Sequence, residues 1–381
     1  MLAALSLTAL PSTVITTLYS VVGFVFLLTV VVFAHEFGHF YIARRCGVRV
    51  EVFSIGFGKA ILWWHDKKGT KWQFSLFPIG GYIKMYGDVN AASAPDIGKC
   101  EQMNDKEKSI SFYYQSLWKK ASIIAAGPAA NYVLAIILCF LLNYFNGLSV
   151  ILPEITAIEK GAPAELGGLL VGDRIIKIDE KDIHDFQEIH QALMLSNGAS
   201  MLFSVLRNNA TIIMEISPTI LEKSHPIDGK IRVPFIGIGC NKLTHTEVSI
   251  AKAFTGSVDY AYDVSFTVLQ LLSQILVGER DMSQLGGPMR IAQYSGKSLE
   301  MGLEVMLHFI ALISLNLGLM NLLPIPLLDG GHLMYYGIQS VYGKPIPPNI
   351  QSIGFRLGFL VLVLLFIFAT WNDVSAIFFR S

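Results

Sequence analysis

His35, Glu36 and His39 fall within five positions of the run VVFAHEFGHFYIARR, residues 31–45, which is otherwise apolar up to Arg44 and Arg45. His35 and His39 stand at i and i+4, so on a helix their imidazoles share one face. Two neutral imidazoles so placed can hold Zn²⁺, with Glu36 as general base for a water in the fourth position. A metal there lowers the pKa of its water and polarises a carbonyl, which is the chemistry of metal-assisted hydrolysis. Ionisable groups inside a membrane span are costly enough to mark function, and here three stand together.

Zinc in a catalytic site takes a third protein ligand. The extended form HExxHxxGxxH is absent, because Ile42 and Arg45 occupy the Gly and His places. The candidates are His65, Asp66, Asp88, Asp329 and His332. Asp329 is favoured because it ends a long apolar stretch and lies at matching depth when spans are counted; His332 is the substitute. His308 falls near the opposite, external end of its helix.

The elements that position these groups are membrane spans. The 381 residues are 52% hydrophobic and only 15% charged, with mean hydropathy +0.51, so much of the surface faces something other than water. Four stretches suit spans: 14–43, 121–145, 303–328 and 354–371, the last with Arg356 snorkelling to an interface. Residues 1–34 carry no charge, so the first run reads as a retained span and not a secretory signal. Arg44, Arg45, Arg49, Lys59, Lys67, Lys68 and Lys71 follow it, and Lys119 and Lys120 precede the second span. The positive-inside rule then places 44–120 in the cytoplasm and 146–302 outside. Residues 266–277 are too short to cross and are read as an interfacial helix, which keeps HEFGH and Asp329 on one side.

Between the spans, RVEVFSIGF (49–57) and KWQFSLFPIGGYIKM (71–85) alternate as strands, joined by HDKKGT (65–70) as a hairpin. Pro324 and Pro326 in NLLPIPLLDG predict a bent or unwound span, and Gly127-Pro128 with Asn131 predicts a similar break in the second span. Outside, the pattern predicts a short helix, a strand after Gly172-Asp173, a helix at 186–195, and strands at 201–207 and 211–217 turning at Asn208-Asn209. Net charge is zero and no basic stripe appears, so no nucleic-acid partner is expected. Cys46, Cys100, Cys139 and Cys240 are dispersed without a CxxC pair, which argues against disulfides or a thiolate zinc site.

With these residues in hand, the chain resembles a site-2 protease, an intramembrane zinc metalloprotease, in the manner of the bacterial regulator-of-sigma-E protease branch. HEFGHFYIARRCGVRVEVFSIGFGK, FPIGGYIKMYG, AAGPAANYVLAI and LNLGLMNLLPIPLLDGGHL follow the family pattern in order, and LGGPMRIAQ (285–293) resembles the segment before the third span. The resemblance implies that His35, His39 and Asp329 bind zinc, that Glu36 is the catalytic base, and that Asn321, Pro324 and Pro326 help hold substrate. It implies that 49–86 is a membrane-associated β-hairpin and that 150–218, carried by GAPAELGGLLVGDRIIKIDEKDI, is a PDZ domain. Members of that branch often carry two PDZ domains, and 219–250 is too short for a second.

The expected fold is therefore a multi-pass α-helical membrane protein of about four transmembrane helices, with a cytoplasmic-side hairpin and an external α+β PDZ domain. Its segments are 1–145 with HExxH and the hairpin, 146–218 the PDZ domain, 219–302 a linker with the interfacial helix, and 303–381 the last two spans. The expected function is zinc-dependent cleavage of transmembrane segments of single-span proteins, of anti-sigma-factor or remnant-signal-peptide type, in a bacterial inner membrane. The partners expected are those substrates, the lipid bilayer, and a peptide or substrate terminus at the PDZ domain. The rival is an inactive membrane-anchored PDZ scaffold. A transporter is less consistent, because the halves show no repeat symmetry.

Overall fold

The computed structural model describes residues 12–88, 102–225, 229–240, 243–246, 249–278, 286–344 and 346–379. Cys100 and Leu285, the first residue of the LGGPMRIAQ segment, lie outside the described residues. The chain divides into two compact units, residues 1–139 with 291–368 and residues 140–290 with 369–381.

The chain begins with α1 (Ser12–Arg45), β1 (Val50–His65), β2 (Lys71–Met85), α2 (Asp105–Ile110) and α3 (Leu117–Asn146). Short elements follow: β3 (Leu148–Ile151), β4 (Ala157–Ile158), α4 (Pro163–Leu166), β5 (Arg174–Ile178), β6 (Lys181–Asp182), α5 (Phe186–Ser196), β7 (Met201–Arg207) and β8 (Ala210–Ile216). Then come β9 (Thr219–His225), β10 (Gly229–Phe235), β11 (Ile238–Gly239), β12 (Leu243–Thr246) and α6 (Ile250–Leu276). The last helices are α7 (Pro288–Met301), α8 (Leu303–Leu322), α9 (Asp329–Tyr342) and α10 (Pro348–Phe379).

Among the described residues, four helices are long and apolar enough to cross a membrane: α1, α3, α8 and α10. α1, at 34 residues, extends about 51 Å, well beyond a hydrocarbon core of about 30 Å. Leu27 and Val31 of α1 bury against Met306 and Ile310 of α8, while Val21, Val22, Phe359 and Leu360 point outward, the pattern of lipid-facing helices.

Two expectations about helix breaks resolve differently. The predicted span 303–328 stops at Leu322, because Pro324 and Pro326 lack donors and push their predecessors out of the helical region. The chain turns through 323–328, with Leu327 at φ +87°, and Asp329 heads a new helix instead of ending the old one. Gly127-Pro128, by contrast, does not break α3, which runs unbroken through Pro128. One proline removes one intrahelical bond, and the surrounding packing compensates; two spaced by a single residue exceed what packing absorbs.

The predicted hairpin is a more folded object. Val52 pairs with both Lys71 and Lys84, and Phe53 with both Trp72 and Ile83, so residues 50–55 lie between two segments of β2. The second half of β1 pairs outside them, His65 with Lys71 and Trp64 with Trp72. The result is a four-segment mixed sheet in the order 60–65, 71–75, 52–55, 81–85, whose central pair, 71–74 with 52–55, runs parallel while the outer pairs run antiparallel. Gly56 (φ +89°) and Gly58 (φ +88°) supply the reversal within β1 that a residue with a Cβ resists. Phe53, Ile55, Ile83 and Met85 bury against Phe40 and Ala43 of α1 and Ile123 and Ile124 of α3, so the sheet is docked at the α1–α3 crossing.

The second unit contains the antiparallel sheet β6-β5-β7-β8, over a core that includes Ile175, Ile178, Ile189, Phe203 and Val205. Asn208 and Asn209, at φ +51° and +62°, make the tight turn of the β7–β8 hairpin. Ile236, 2% exposed, belongs to the same core, and β11 pairs with β4. Residues 236–239, which follow the segment expected to end at 218, therefore reach this core. The helix expected at 266–277 begins sixteen residues earlier, at Ile250, capped by Ser249. Its outward face carries Phe254, Val258, Tyr262, Phe266 and Leu269.

Candidate metal centre

α1 delivers His35, Glu36 and His39, and the turn after α8 returns Asp329 to the same place. His35 Nε2 and His39 Nε2 are 3.2 Å apart, and Asp329 Oδ2 lies 3.2 Å from the first and 3.5 Å from the second. Tetrahedral zinc, with ligand bonds of about 2.0–2.1 Å, separates its ligand atoms by about 3.3–3.4 Å. The triangle already has that edge length.

Backbone and amide groups fix which ring nitrogens face inward. His39 Nδ1 lies 2.8 Å from the Ile123 carbonyl and donates its proton there, which leaves Nε2 as a lone pair. His35 Nδ1 is 3.3 Å from the side-chain amide of Asn131, a fully buried residue of α3. With that amide turned so that Oδ1 faces the ring, it accepts the Nδ1 proton, and Oδ1 gains the partner it otherwise lacks. Ser314 of α8 donates to the Asn131 carbonyl at 2.9 Å and ties this support to the third span. Asp329 Oδ2 is buried and, among the described residues, receives no hydrogen bond. Two imidazole lone pairs and a carboxylate oxygen converging without a proton between them repel one another, and a divalent cation removes the conflict. The residues fit zinc on this chemistry.

Small residues permit the approach. A Cβ on Gly127 would overlap the His39 ring, and one on Gly38 would overlap the Ala126 carbonyl, so α1 and α3 cross closely at the site. A Cβ on Gly81, in the sheet segment 81–85, would meet Val32 Cγ1 at 2.7 Å and Glu36 Cγ at 2.9 Å. Glu36 is thus flanked by the sheet on one side and interacts electrostatically with both histidines and Asp329.

Of the candidates for third ligand, the structure brings only Asp329 to the histidines. Asp66 instead pairs with Arg44, and Asp88 accepts the Met85 N–H at 3.1 Å. The His65 ring sits against Trp63, and that of His332 against Phe355. Asn321 closes α8, Pro324 is exposed in the turn, and a Cβ on Gly358 of α10 would overlap the Pro326 carbonyl, so that turn is packed against the last span. Sequence reasoning missed the Ile123 carbonyl, which no side chain announces, and the supporting role of Asn131. A buried amide in an apolar span was the available signal for the latter.

The family model described as Peptidase family M50 matches residues 23–365. A protein of Rhizobium meliloti, provisionally named a zinc metalloprotease, is 36% identical over 94% of this chain and 97% of its own length. A similarly named protein of Rickettsia conorii is 36% identical over 94% of this chain and 99% of its own. Metalloprotease MmpA of Caulobacter vibrioides is 33% identical over 94% and 96%. Among solved structures, the PDZ domain of an SdrC-like protein from Listeria innocua matches at 22% identity and TM-score 0.21, covering 25% of this chain and 99% of that one.

Proposed function

The chain belongs to peptidase family M50 and is a zinc metalloprotease, and on that premise we propose that it cuts single-span membrane proteins within their transmembrane segments. His35, His39 and Asp329 hold the zinc and Glu36 is the catalytic base. The observation that carries this reading is the 3.2–3.5 Å triangle of lone-pair atoms built on helices apolar enough to lie in a bilayer.

Zinc held there supplies a Lewis acid that polarises the scissile carbonyl and acidifies the attacking water. Glu36 takes a proton from that water and delivers it to the leaving amine nitrogen as the C–N bond breaks. The Ile123 carbonyl and the Asn131 amide keep the two imidazoles in the tautomer that aims Nε2 inward. A substrate helix shields its peptide bonds, so the segment must unwind before attack. Residues 81–85 run beside Glu36, and among the described residues their outer edge has no strand partner, which suits addition of the unwound piece as a further strand. Asn321, Pro324 and Pro326 hold that piece from the other side.

The protein is a membrane protein, and the basic residues after α1 support an orientation with the site toward the cytoplasm of a bacterial inner membrane. Residues beyond α3 then form a periplasmic PDZ domain that meets a peptide or substrate terminus. Substrates are anti-sigma factors or remnant signal peptides that another protease has already shortened, as in regulated intramembrane proteolysis. The test is Glu36→Gln in the purified full chain, assayed on a single-span substrate in vesicles. Cleavage should fall about 10³-fold while zinc stays near one per chain. Turnover at the wild-type rate removes Glu36 from the mechanism.

A further inference from the structure

A cleft of about 220 Å³ opens between the end of α1 and the turn joining β1 to β2, with Arg44, Gly47, Arg49, Lys68 and Thr70 on its walls. One wall is tied down. Arg44 pairs with Asp66 and donates to Thr70 Oγ1 at 2.8 Å, and Thr70 Oγ1 donates in turn to the Val50 carbonyl at 2.6 Å. Burial pushes the Asp66 carboxyl up, but hydrogen bonds from the Trp72 indole, the Thr70 N–H, Arg44 and the Lys68 N–H outweigh it and hold the group at about 2. Asp66 therefore stays ionised and cancels Arg44.

Arg49 and Lys68 are not cancelled. Both are exposed; among the described residues the Arg49 guanidinium meets only the Tyr86 ring, at 5.6 Å, and the Lys68 ammonium meets no partner. The cleft thus presents two uncompensated cations on a rigid frame. Its level relative to a bilayer follows from its neighbours. Arg44 lies in the last turn of a span, and Trp63 and Trp64, 56% and 44% exposed, sit on the outer sheet segment that leads into the same turn. Exposed tryptophans beside basic side chains at a helix end belong to the headgroup layer.

We propose that this cleft binds the phosphate of an anionic phospholipid headgroup, with Arg49 and Lys68 as its cations. A free phosphate has the same chemistry, but the tryptophans and the adjoining span favour the lipid. A headgroup seated there fixes the sheet, which flanks Glu36, against the bilayer surface.

The test uses the full chain in detergent, with bound lipid counted by native mass spectrometry. Phosphatidylglycerol, phosphatidylcholine and inorganic phosphate are titrated separately. Phosphatidylglycerol should be retained by the wild type and bind about 30-fold more weakly to the R49Q/K68Q variant, with phosphatidylcholine and inorganic phosphate not retained. K59Q/K106Q, the same charge change at exposed lysines outside the cleft, should bind like wild type, and so should the charge-keeping R49K/K68R. Equal weakening in K59Q/K106Q would reduce the effect to general surface charge and overturn the site. Retention of inorganic phosphate as tightly as lipid would overturn the lipid assignment, and full lipid retention by R49Q/K68Q would overturn both.

Discussion

Asp173 and Asp329 are carboxylates of similar seclusion, 1% and 15% exposed by side chain, and the chain surrounds them in opposite ways. Arg207 meets Asp173 on both oxygens, Nε to Oδ1 and Nη2 to Oδ2, each at 2.7 Å, and the Leu170 N–H adds a third bond at 2.8 Å. Hydrogen bonding to Arg207 holds that carboxyl below the usual range, against the upward push of burial. Arg207 also donates to the Gly168 carbonyl at 2.8 Å, so one charge pair fastens β7 to the turn before β5. Among the described residues Asp329 has no comparable donor, and its Oδ2 faces two imidazole nitrogens whose protons are committed elsewhere. A carboxylate with donors on both oxygens belongs to the fold. One aimed at other lone pairs is the arrangement the proposed zinc site requires.

That contrast breaks most sharply on removal of each carboxylate. Asp329→Ala should abolish cleavage and take zinc from about one per chain to near background, with helix content by circular dichroism unchanged. Asp173→Ala should do the reverse: zinc stays near one per chain, while Tm of the second unit falls by roughly 5–10 °C as Arg207 loses its partner. Zinc at full occupancy in Asp329→Ala, or lost in Asp173→Ala with the protein still folded, would erase the distinction. Acid sharpens it further. Because the Asp173 pKa is depressed on folding, its contribution is complete above the usual carboxylate range and disappears as pH falls below it.

The parts of this arrangement written in local pattern were legible in the sequence. HEFGH carries its own spacing, the four apolar runs carry their length, and Asn208-Asn209 carries its turn. What escaped depends on contacts between distant residues. The doubled register of the sheet follows from left-handed glycines at 56 and 58, which a period-two reading passes over. Lys252, Asp259 and Asp263 interrupt the apolar pattern of α6 and hide its first four turns. Ile236 joins the core of the second unit just before a two-residue strand too short to show a period. Pro128 looked like a break because local rules treat every proline alike, whereas its neighbour Gly127 sits against His39 in a crossing that holds the helix together.

Gly81 tests the site from its flank. A methyl group there would press on the Glu36 side chain at 2.9 Å without touching a proposed zinc ligand. Gly81→Ala should lower kcat about 10–100-fold, with zinc content unchanged, because a displacement near 1 Å is enough to spoil proton transfer. A loss of zinc in this variant would mean that the sheet supports the ligands themselves.

Asp88 supplies the intermediate case, a carboxylate 5% exposed that, among the described residues, has one backbone donor, the Met85 N–H, and no guanidinium. Burial pushes its pKa up to about 7; the Met85 bond and Lys84 pull it down, and Glu51 adds to the rise. The sign is opposite to that of Asp173. A carboxyl with a raised folded-state pKa contributes stability that is full below about pH 4 and is lost as pH rises through 7. Trp63, Trp64 and Trp72 lie on the sheet that ends at Met85, so their fluorescence follows this region during heating. Between pH 5 and pH 8.5 the wild-type Tm should drop by about 3–6 °C. Asp88→Asn, whose amide oxygen can still accept the Met85 N–H, should flatten that dependence and be the more stable form at the alkaline end. An unchanged slope in Asp88→Asn would assign the loss to another group, leaving Asp329 and Asp173 as the two ends of the comparison with nothing between them.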